Sequence, residues 1–288
     1  MPTTLLVGST PDALASELIK RISAIARDAV QARGVLNVAV SGGSMPKILA
    51  GLAQADIDWA KCKIFFADER CVPLDHNDRS PPPSMYAYRR ALVRTTSNHK
   101  AWQNLFSASG IPAENVIAVK TELSPEAAAA DYEATLKEAF PGTETNEGDG
   151  GAHETLPVLP CFDLALLGFG PDGHTCSLFP SHPLLEERSK LVAHIEDSPK
   201  PPPQRVTLTF PVVNNSRNVM FIGTGDGKAS LLPQLVKVVD GRIASTGASS
   251  PYPAARVEVA DGRELLWCVD KAAAAKCPPE VEALATEC

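Results

Sequence analysis

The 288-residue chain contains no Cys-x-x-Cys pair; its seven cysteines (Cys62, Cys71, Cys161, Cys176, Cys268, Cys277 and Cys288) are scattered and odd in number. That spacing excludes a zinc ribbon and argues against a disulfide framework, so reduced thiols are expected. No apolar run approaches the roughly 20 residues of a membrane helix, and no basic flank leads into an apolar core near the first residue. No membrane partner is expected, and the location expected is cytoplasmic. Positive charge is also in short supply: 27 Lys and Arg face 34 Asp and Glu, a formal net charge of -7. A general attraction to nucleic acid is thereby excluded, and any anionic ligand must be met by locally placed cations. Both nucleotide signatures are missing as well, the Gly-Lys-Ser/Thr ending of a phosphate loop and the three spaced glycines of a dinucleotide fingerprint.

What is present is a regular β-α alternation. Strands are expected at Thr3 to Gly8, Val35 to Val40, Lys63 to Ala67, Asn115 to Val119, Leu164 to Leu167, Leu191 to Ile195, Arg205 to Phe210, Val219 to Ile222, Val257 to Val259 and Leu265 to Asp270. Ser9-Thr10-Pro11-Asp12 supplies capping residues, a first-turn proline and an acid for a helix to about Gln31, with Leu14, Leu18, Ile22 and Ile25 at helical spacing. Ser124-Pro125-Glu126 opens a second helix to Phe140. Further helices are expected from Ser84 to Val93 and from Lys228 to Val239. The pattern implies one α/β domain over residues 1–288, with a mostly parallel sheet, helices on both faces and an exposed acidic, glycine-rich loop at about 141–160.

Leu164-Ala165-Leu166-Leu167 lacks the alternation of a half-wet strand, so both its faces should be covered. The run ends at Gly168-Phe169-Gly170-Pro171-Asp172-Gly173-His174, and ligands in open α/β sheets bind just beyond such strand ends. An imidazole titrating near 6.5 takes up a proton from water at neutral pH, and a carboxylate two residues away fixes its tautomer. His174 and Asp172 therefore read as a base with an orienting acid. The alternative is a loop in which His174 bonds a carbonyl and Asp172 makes an Asx turn.

Other strand ends carry polar groups too. Ser41-Gly42-Gly43-Ser44 sits between a strand and a helix start, where paired glycines and a helix N-terminus favour an anion; the bland reading is a plain turn. Asp68-Glu69-Arg70 follows the third strand directly, and the polar loop beyond it carries Arg79, a guanidinium suited to phosphate. Lys228 begins the helix after Gly223-Thr224-Gly225, where a cation opposes the helix dipole unless an anion is near. Pro199 to Pro203 is a proline-rich loop interrupted by Lys200.

Four blocks stand in order: Ser41 to Ser44; Phe66-Ala67-Asp68-Glu69-Arg70 with Val72-Pro73; Leu167 to Pro180; and Arg205-Val206-Thr207-Leu208-Thr209 with Gly227-Lys228-Ala229. Together they resemble the 6-phosphogluconolactonase family, itself similar in fold to glucosamine-6-phosphate deaminase and ribose-5-phosphate isomerase. The resemblance implies a Rossmann-like fold and hydrolysis of 6-phospho-D-glucono-1,5-lactone with neither metal nor cofactor, by a monomer or weak dimer. It implies His174 as the base with Asp172, and Ser41, Gly42, Gly43, Ser44, Asp68, Arg70, Arg79, Gly170, Arg205 and Lys228 around the substrate. The polar loop departs from the family text, since Ser80 is followed by Pro81-Pro82-Pro83. An amino-sugar phosphate deaminase would follow the histidine with Phe-Asn-Glu-Pro; here Ser177-Leu178-Phe179-Pro180 offers no carboxylate. A non-catalytic sugar-phosphate sensor would need neither His174 nor Asp172.

Overall fold

In the computed structural model, residues 3–71, 97–141, 143–144, 156–157, 159–260 and 262–288 are described. The expected helix at 84–93, the Arg79 loop and most of the acidic loop lie outside them. In chain order the strands are β1 (Thr3–Gly8), β2 (Leu36–Val40), β3 (Cys62–Phe66), β4 (Asp68–Arg70), β5 (Val116–Ile117), β6 (Thr143–Glu144), β7 (Leu156–Pro157) and β8 (Leu164–Leu167). They continue with β9 (Val192–Ile195), β10 (Arg205–Leu208), β11 (Asn218–Gly223), β12 (Val236–Val239), β13 (Arg242–Ser245), β14 (Glu264–Asp270) and β15 (Thr286–Glu287). The longer helices are α1 (Pro11–Arg33), α2 (Ser97–Ser109) and α3 (Pro125–Ala139).

Eight strands form the central sheet in the order β15-β1-β14-β11-β8-β2-β3-β5, with every neighbouring pair parallel. The chain moves outward from β2 to β3 and β5, then returns to the other side of β2 and moves away through β8, β11 and β14. The order reverses between β2 and β8, and a crevice opens beyond their carboxyl ends.

Strand alternation builds the two layers. Leu164 and Leu166 join Leu14, Leu18 and Ile22 of α1 and Trp102, Leu105 and Phe106 of α2 on one face. Ala165 and Leu167 join Tyr132 and Leu136 of α3, with Phe221 and Trp267, on the other. All four β8 side chains are buried, which is why this strand lacks polar alternation. Thr10 caps α1 by accepting the Ala13 N–H at 3.1 Å, and Gly34 ends it in the left-handed region at φ 75°. Ser124 caps α3 by accepting from the Ala127 N–H.

One short extended run links two sheets. Ala67, between β3 and β4, donates its N–H to Val40 and accepts from Leu208. The chain thereby leaves the parallel sheet and enters an antiparallel one ordered β4-β10-β9, with Asp68 opposite Thr207 and Arg70 opposite Arg205.

Several expectations are corrected. The segment expected to be helical to Val239 holds only a short turn at Asp226–Lys228 and one helical turn at Leu232–Leu235; Val236–Val239 then pairs with Arg242–Ser245 as a hairpin. The reason is local: β-branched Val236, Val238 and Val239 run into Asp240-Gly241, both at positive φ (49° and 70°), as a tight hairpin turn requires. Val257 and Val259 are buried but the segment forms no strand, and Thr286–Glu287 takes the sheet edge beside β1 instead. The helix after Ser44 is a single turn, Met45–Ile48, followed by a 3₁₀ turn.

Candidate functional site

The carboxyl ends of β3, β2, β8 and β11, adjacent in the sheet, converge on a pocket of about 210 Å³. From β2 come Ser41, Gly42, Gly43 and Ser44; from β4, Asp68 and Arg70; from beyond β8, Gly170 and His174; from beyond β11, Lys228. Arg205 of β10 closes one wall. Thus every substrate-binding residue expected from sequence and lying among the described residues borders this one space. Asp172 does not line the pocket but stands directly behind His174. Arg79 lies outside the described residues.

The turn from Gly168 to Ser177 is stiffened from within. Gly170 N–H donates to His174 O and Gly173 N–H to Gly170 O, while Thr175 Oγ1 donates back to Gly168 O. Gly173 sits at φ 78° with the Tyr252 ring where a side chain would be. Within this frame His174 Nδ1 lies 2.5 Å from Asp172 Oδ1. The His174 ring stacks on Phe179 with centroids 4.8 Å apart.

Burial holds the His174 pKa below its ordinary 6.5, with Asp172 pulling it up in part and Lys200 pushing it down. Burial alone would raise Asp172, but hydrogen bonds from Lys200 and His174 outweigh it and bring its pKa down to about 2. An ionised carboxylate only accepts, so the proton of the short contact belongs to imidazole Nδ1, leaving the Nε2 lone pair available.

The glycine turn is anchored twice: Ser41 N–H donates to Leu166 O of β8 at 2.9 Å, and Trp102 Nε1 of α2 donates to Ser41 O at 2.8 Å. Gly43 adopts φ 92°. Because only one helical turn follows Ser44, a helix dipole adds little here, and the turn's appeal to an anion rests on its amides and hydroxyls. The buried Ser41 Oγ has the Cys176 thiol as neighbour and no oxygen or nitrogen partner among the described residues. Arg70 Nε is likewise buried without a partner among them. Both residues border the polar pocket.

The other cations are committed differently. Lys228 Nζ donates to the Phe169 carbonyl and lies 5.0 Å from that ring's centroid. Its pKa is lowered by burial and by Lys200. Arg205 is buried, and its guanidinium donates to the carbonyls of Lys200, Pro201 and Pro202. Asp68, also buried, accepts from Ser177 Oγ at 3.0 Å; burial raises its pKa against the pull of Arg205 and Ser177. Among the described residues no group of three or more His, Cys, Asp or Glu is placed to hold a metal ion.

Sequence reasoning passed over Lys200, Phe179 and Ser177 as site residues. Lys200 gave one signal, a lone cation among prolines; Phe179 lies five residues from His174 and stacks on it only in the folded turn, and Ser177 meets Asp68 only when distant segments come together.

A parallel α/β sheet whose switch-point crevice gathers an imidazole–carboxylate pair, a glycine turn and cations defines an α/β protein built to handle a small anionic molecule. Residues 9–267 match the family described as glucosamine-6-phosphate isomerases/6-phosphogluconolactonase, and the chain belongs to that family. Human 6-phosphogluconolactonase is 43% identical over 249 residues, covering 84% of this chain and 81% of that protein. The crystal structure of 6-phosphogluconolactonase from Thermotoga maritima superposes with a TM-score of 0.68 at 26% identity, over 93% of this chain and 100% of that one. A monomeric glucosamine-6-phosphate deaminase shares the fold with a TM-score of 0.62 at 16% identity, over 96% of this chain and 100% of that one.

Proposed function

We propose that this protein hydrolyses 6-phospho-D-glucono-1,5-lactone to 6-phospho-D-gluconate. The observation that carries the reading is the meeting, around one pocket, of the His174 imidazole backed by the Asp172 carboxylate with a glycine turn and two buried donors, Ser41 Oγ and Arg70 Nε, that have no oxygen or nitrogen partner among the described residues. The first half of that set activates water and the second holds an anion.

In this reading His174 Nε2 takes a proton from water as the oxygen attacks the lactone carbonyl, and Asp172 holds the Nδ1–H and stabilises the imidazolium. The amides of Gly42 and Gly43 face the charge developing on the carbonyl oxygen; such a donor is worth about 3 kcal/mol in general. Collapse of the tetrahedral intermediate breaks the bond to the ring oxygen, which leaves as a hydroxyl by taking the proton from His174. Ser41, Ser44, Arg70 and Lys228 hold the phosphate, spending its binding energy on placing the carbonyl. Arg79 joins them in the family pattern. Asp68 and Gly170 complete the wall around the sugar. No metal or cofactor enters any step.

Among the described residues no helix is long and apolar enough to cross a membrane. All seven cysteines are unpaired, which suits a reducing cytoplasm.

The test is lactone hydrolysis with freshly generated substrate, followed through 6-phosphogluconate, alongside ammonia release from glucosamine-6-phosphate. Acceleration well above spontaneous opening with no ammonia is expected. Binding of 6-phosphogluconate without acceleration would leave a sensor, and ammonia release would make it a deaminase.

A further inference from the structure

The mechanism above leaves two charged groups at the site unused, Lys200 and Arg205. Lys200 Nζ donates to Asp172 Oδ1 at 2.8 Å and lies 3.1 Å from His174 Nδ1. Since that nitrogen already carries the proton shared with Asp172, the ammonium has no acceptor there. The lysine is therefore bonded to the carboxylate and merely crowded against the imidazole, a like-charge contact whenever the ring is protonated.

Lys200 is not a wandering surface lysine. Its carbonyl accepts from Arg205 Nη2 at 2.9 Å and from Ser198 Oγ at 2.9 Å, and its N–H donates to Ser198 Oγ. Arg205 also donates to the carbonyls of Pro201 and Pro202, at 3.2 and 3.1 Å. Its guanidinium lies 5.5 Å from the centroid of the Phe179 ring, the ring on which His174 stacks. Three carbonyls of one loop thus end on one buried guanidinium, and the loop's single cation ends on the carboxylate behind His174.

We propose that Lys200 is a positioning residue of this site, its ammonium clamping Asp172 against His174, and that Arg205 is the strut holding the Lys200 loop in place rather than a phosphate ligand. The inference rests on the reading of His174 as the base. The charged groups facing His174 are Asp172 from its own turn, Lys200 from the loop after β9 and Asp68 from β4, while Lys228 faces Asp172 from beyond β11. Of the two cations, Lys200 alone touches the pair.

Chemically, a fixed positive charge beside Nδ1 makes the ring a weaker base and, once protonated, a better acid. Lactone opening uses the ring first as base and then as acid: the added charge keeps it neutral and ready for water at neutral pH, and helps it release the proton to the departing ring oxygen. Without that positive charge His174, still bonded to Asp172, binds its proton more tightly.

The experiment is an NMR titration of the His174 imidazole in the substrate-free protein, together with the pH profile of kcat/KM, for wild type, Lys200→Met and Lys200→Arg. Lys200→Met is expected to raise the His174 midpoint by about one pH unit. The acid limb of the rate profile should move up with it, and Lys200→Arg should stay near wild type. Arg205→Gln should shift the midpoint the same way, with no further shift in the Lys200→Met background. A His174 midpoint unmoved by Lys200→Met overturns the clamp whatever the activity. A raised KM with unmoved titration in Arg205→Gln overturns the strut. Full activity in His174→Ala would instead overturn the base, an outcome separate from the NMR readout. Thermal melting of each variant separates these results from unfolding.

Discussion

Gly170 and His174 are packed so closely that a Cβ on the glycine would sit 2.1 Å from both Cε1 and Nδ1 of the ring, and 2.5 Å from Asp172 Oδ1. Backbone freedom is not what this glycine provides; space for the imidazole–carboxylate pair is. Gly170→Ala must push the ring or the carboxylate aside, and displacement of about 1 Å can cost about a hundredfold in rate. The expected result is a kcat lower by about 10- to 100-fold with cooperative melting retained. Wild-type kcat would mean that the placement of the pair does not matter.

His174→Ala removes the proposed base and should lower kcat by about 10²- to 10⁴-fold. In the wild-type protein burial holds the imidazole below its ordinary 6.5, so activity should persist into mildly acidic solution and fail only below that value. Asp172→Asn deletes the anion that raises the ring's proton affinity. The acid limb should therefore move to still lower pH, while the plateau drops because nothing fixes the Nδ1–H tautomer. A pH series of kcat/KM reads both changes; an acid limb moving upward would contradict the assignment.

Much of this arrangement is legible in the residues themselves. The unbroken apolar run Leu164 to Leu167, halted by Gly168, announces a doubly covered strand with something polar beyond it. Thr10, Gly34 and Ser124 mark helix ends by local chemistry alone. The hairpin at Asp240-Gly241 was also readable, but the apolar spacing before it suits a helix equally well, and the turn signal decides between them. Lys200 was not legible as a site residue because its partner Asp172 is 28 positions away and meets it only in the fold. Arg205 itself reads as a free cation in sequence and proves to be tied through Nε and Nη2 to three loop carbonyls in the fold.

Asp163, just before β8, is a structural clasp. It is 1% exposed and accepts from Arg33 Nη2 at 2.7 Å, Arg33 Nε at 2.9 Å and the Asn37 N–H at 2.8 Å, tying the end of α1 to the starts of β2 and β8. Arg33 is part-exposed and can rehydrate, but the Asn37 amide loses its acceptor. Asp163→Ala should cost about 2–3 kcal/mol in chemical denaturation. Rates per folded molecule should change little, since the clasp lies at the amino ends of strands whose carboxyl ends form the pocket. A loss below 0.5 kcal/mol, on the order of an exposed ion pair, would show that the clasp is not buried in effect.

Glu69 sits between the two pocket residues Asp68 and Arg70 on β4, so its side chain points the other way, into the core. It is fully buried; Oε1 accepts the Arg70 N–H at 2.9 Å, while Oε2 has no partner among the described residues. Burial pushes its pKa from 4.5 up to about 8, with the Asp68 charge adding to the rise and the Arg70 and Arg205 cations resisting it. Because the folded value lies above the unfolded one, the associated stability is fully present below about pH 4.5. It is lost progressively as pH rises toward 8, at up to about 1.4 kcal/mol per pH unit. Glu69→Gln keeps the Oε1 acceptor and cannot ionise, so its unfolding free energy should decline less than that of wild type between pH 5 and 8. Denaturant titrations at several pH values across that window measure the difference. Parallel curves for the two proteins would mean that Glu69 keeps an ordinary carboxylate pKa despite its burial, and that β4 pays no electrostatic penalty for delivering its neighbours to the pocket.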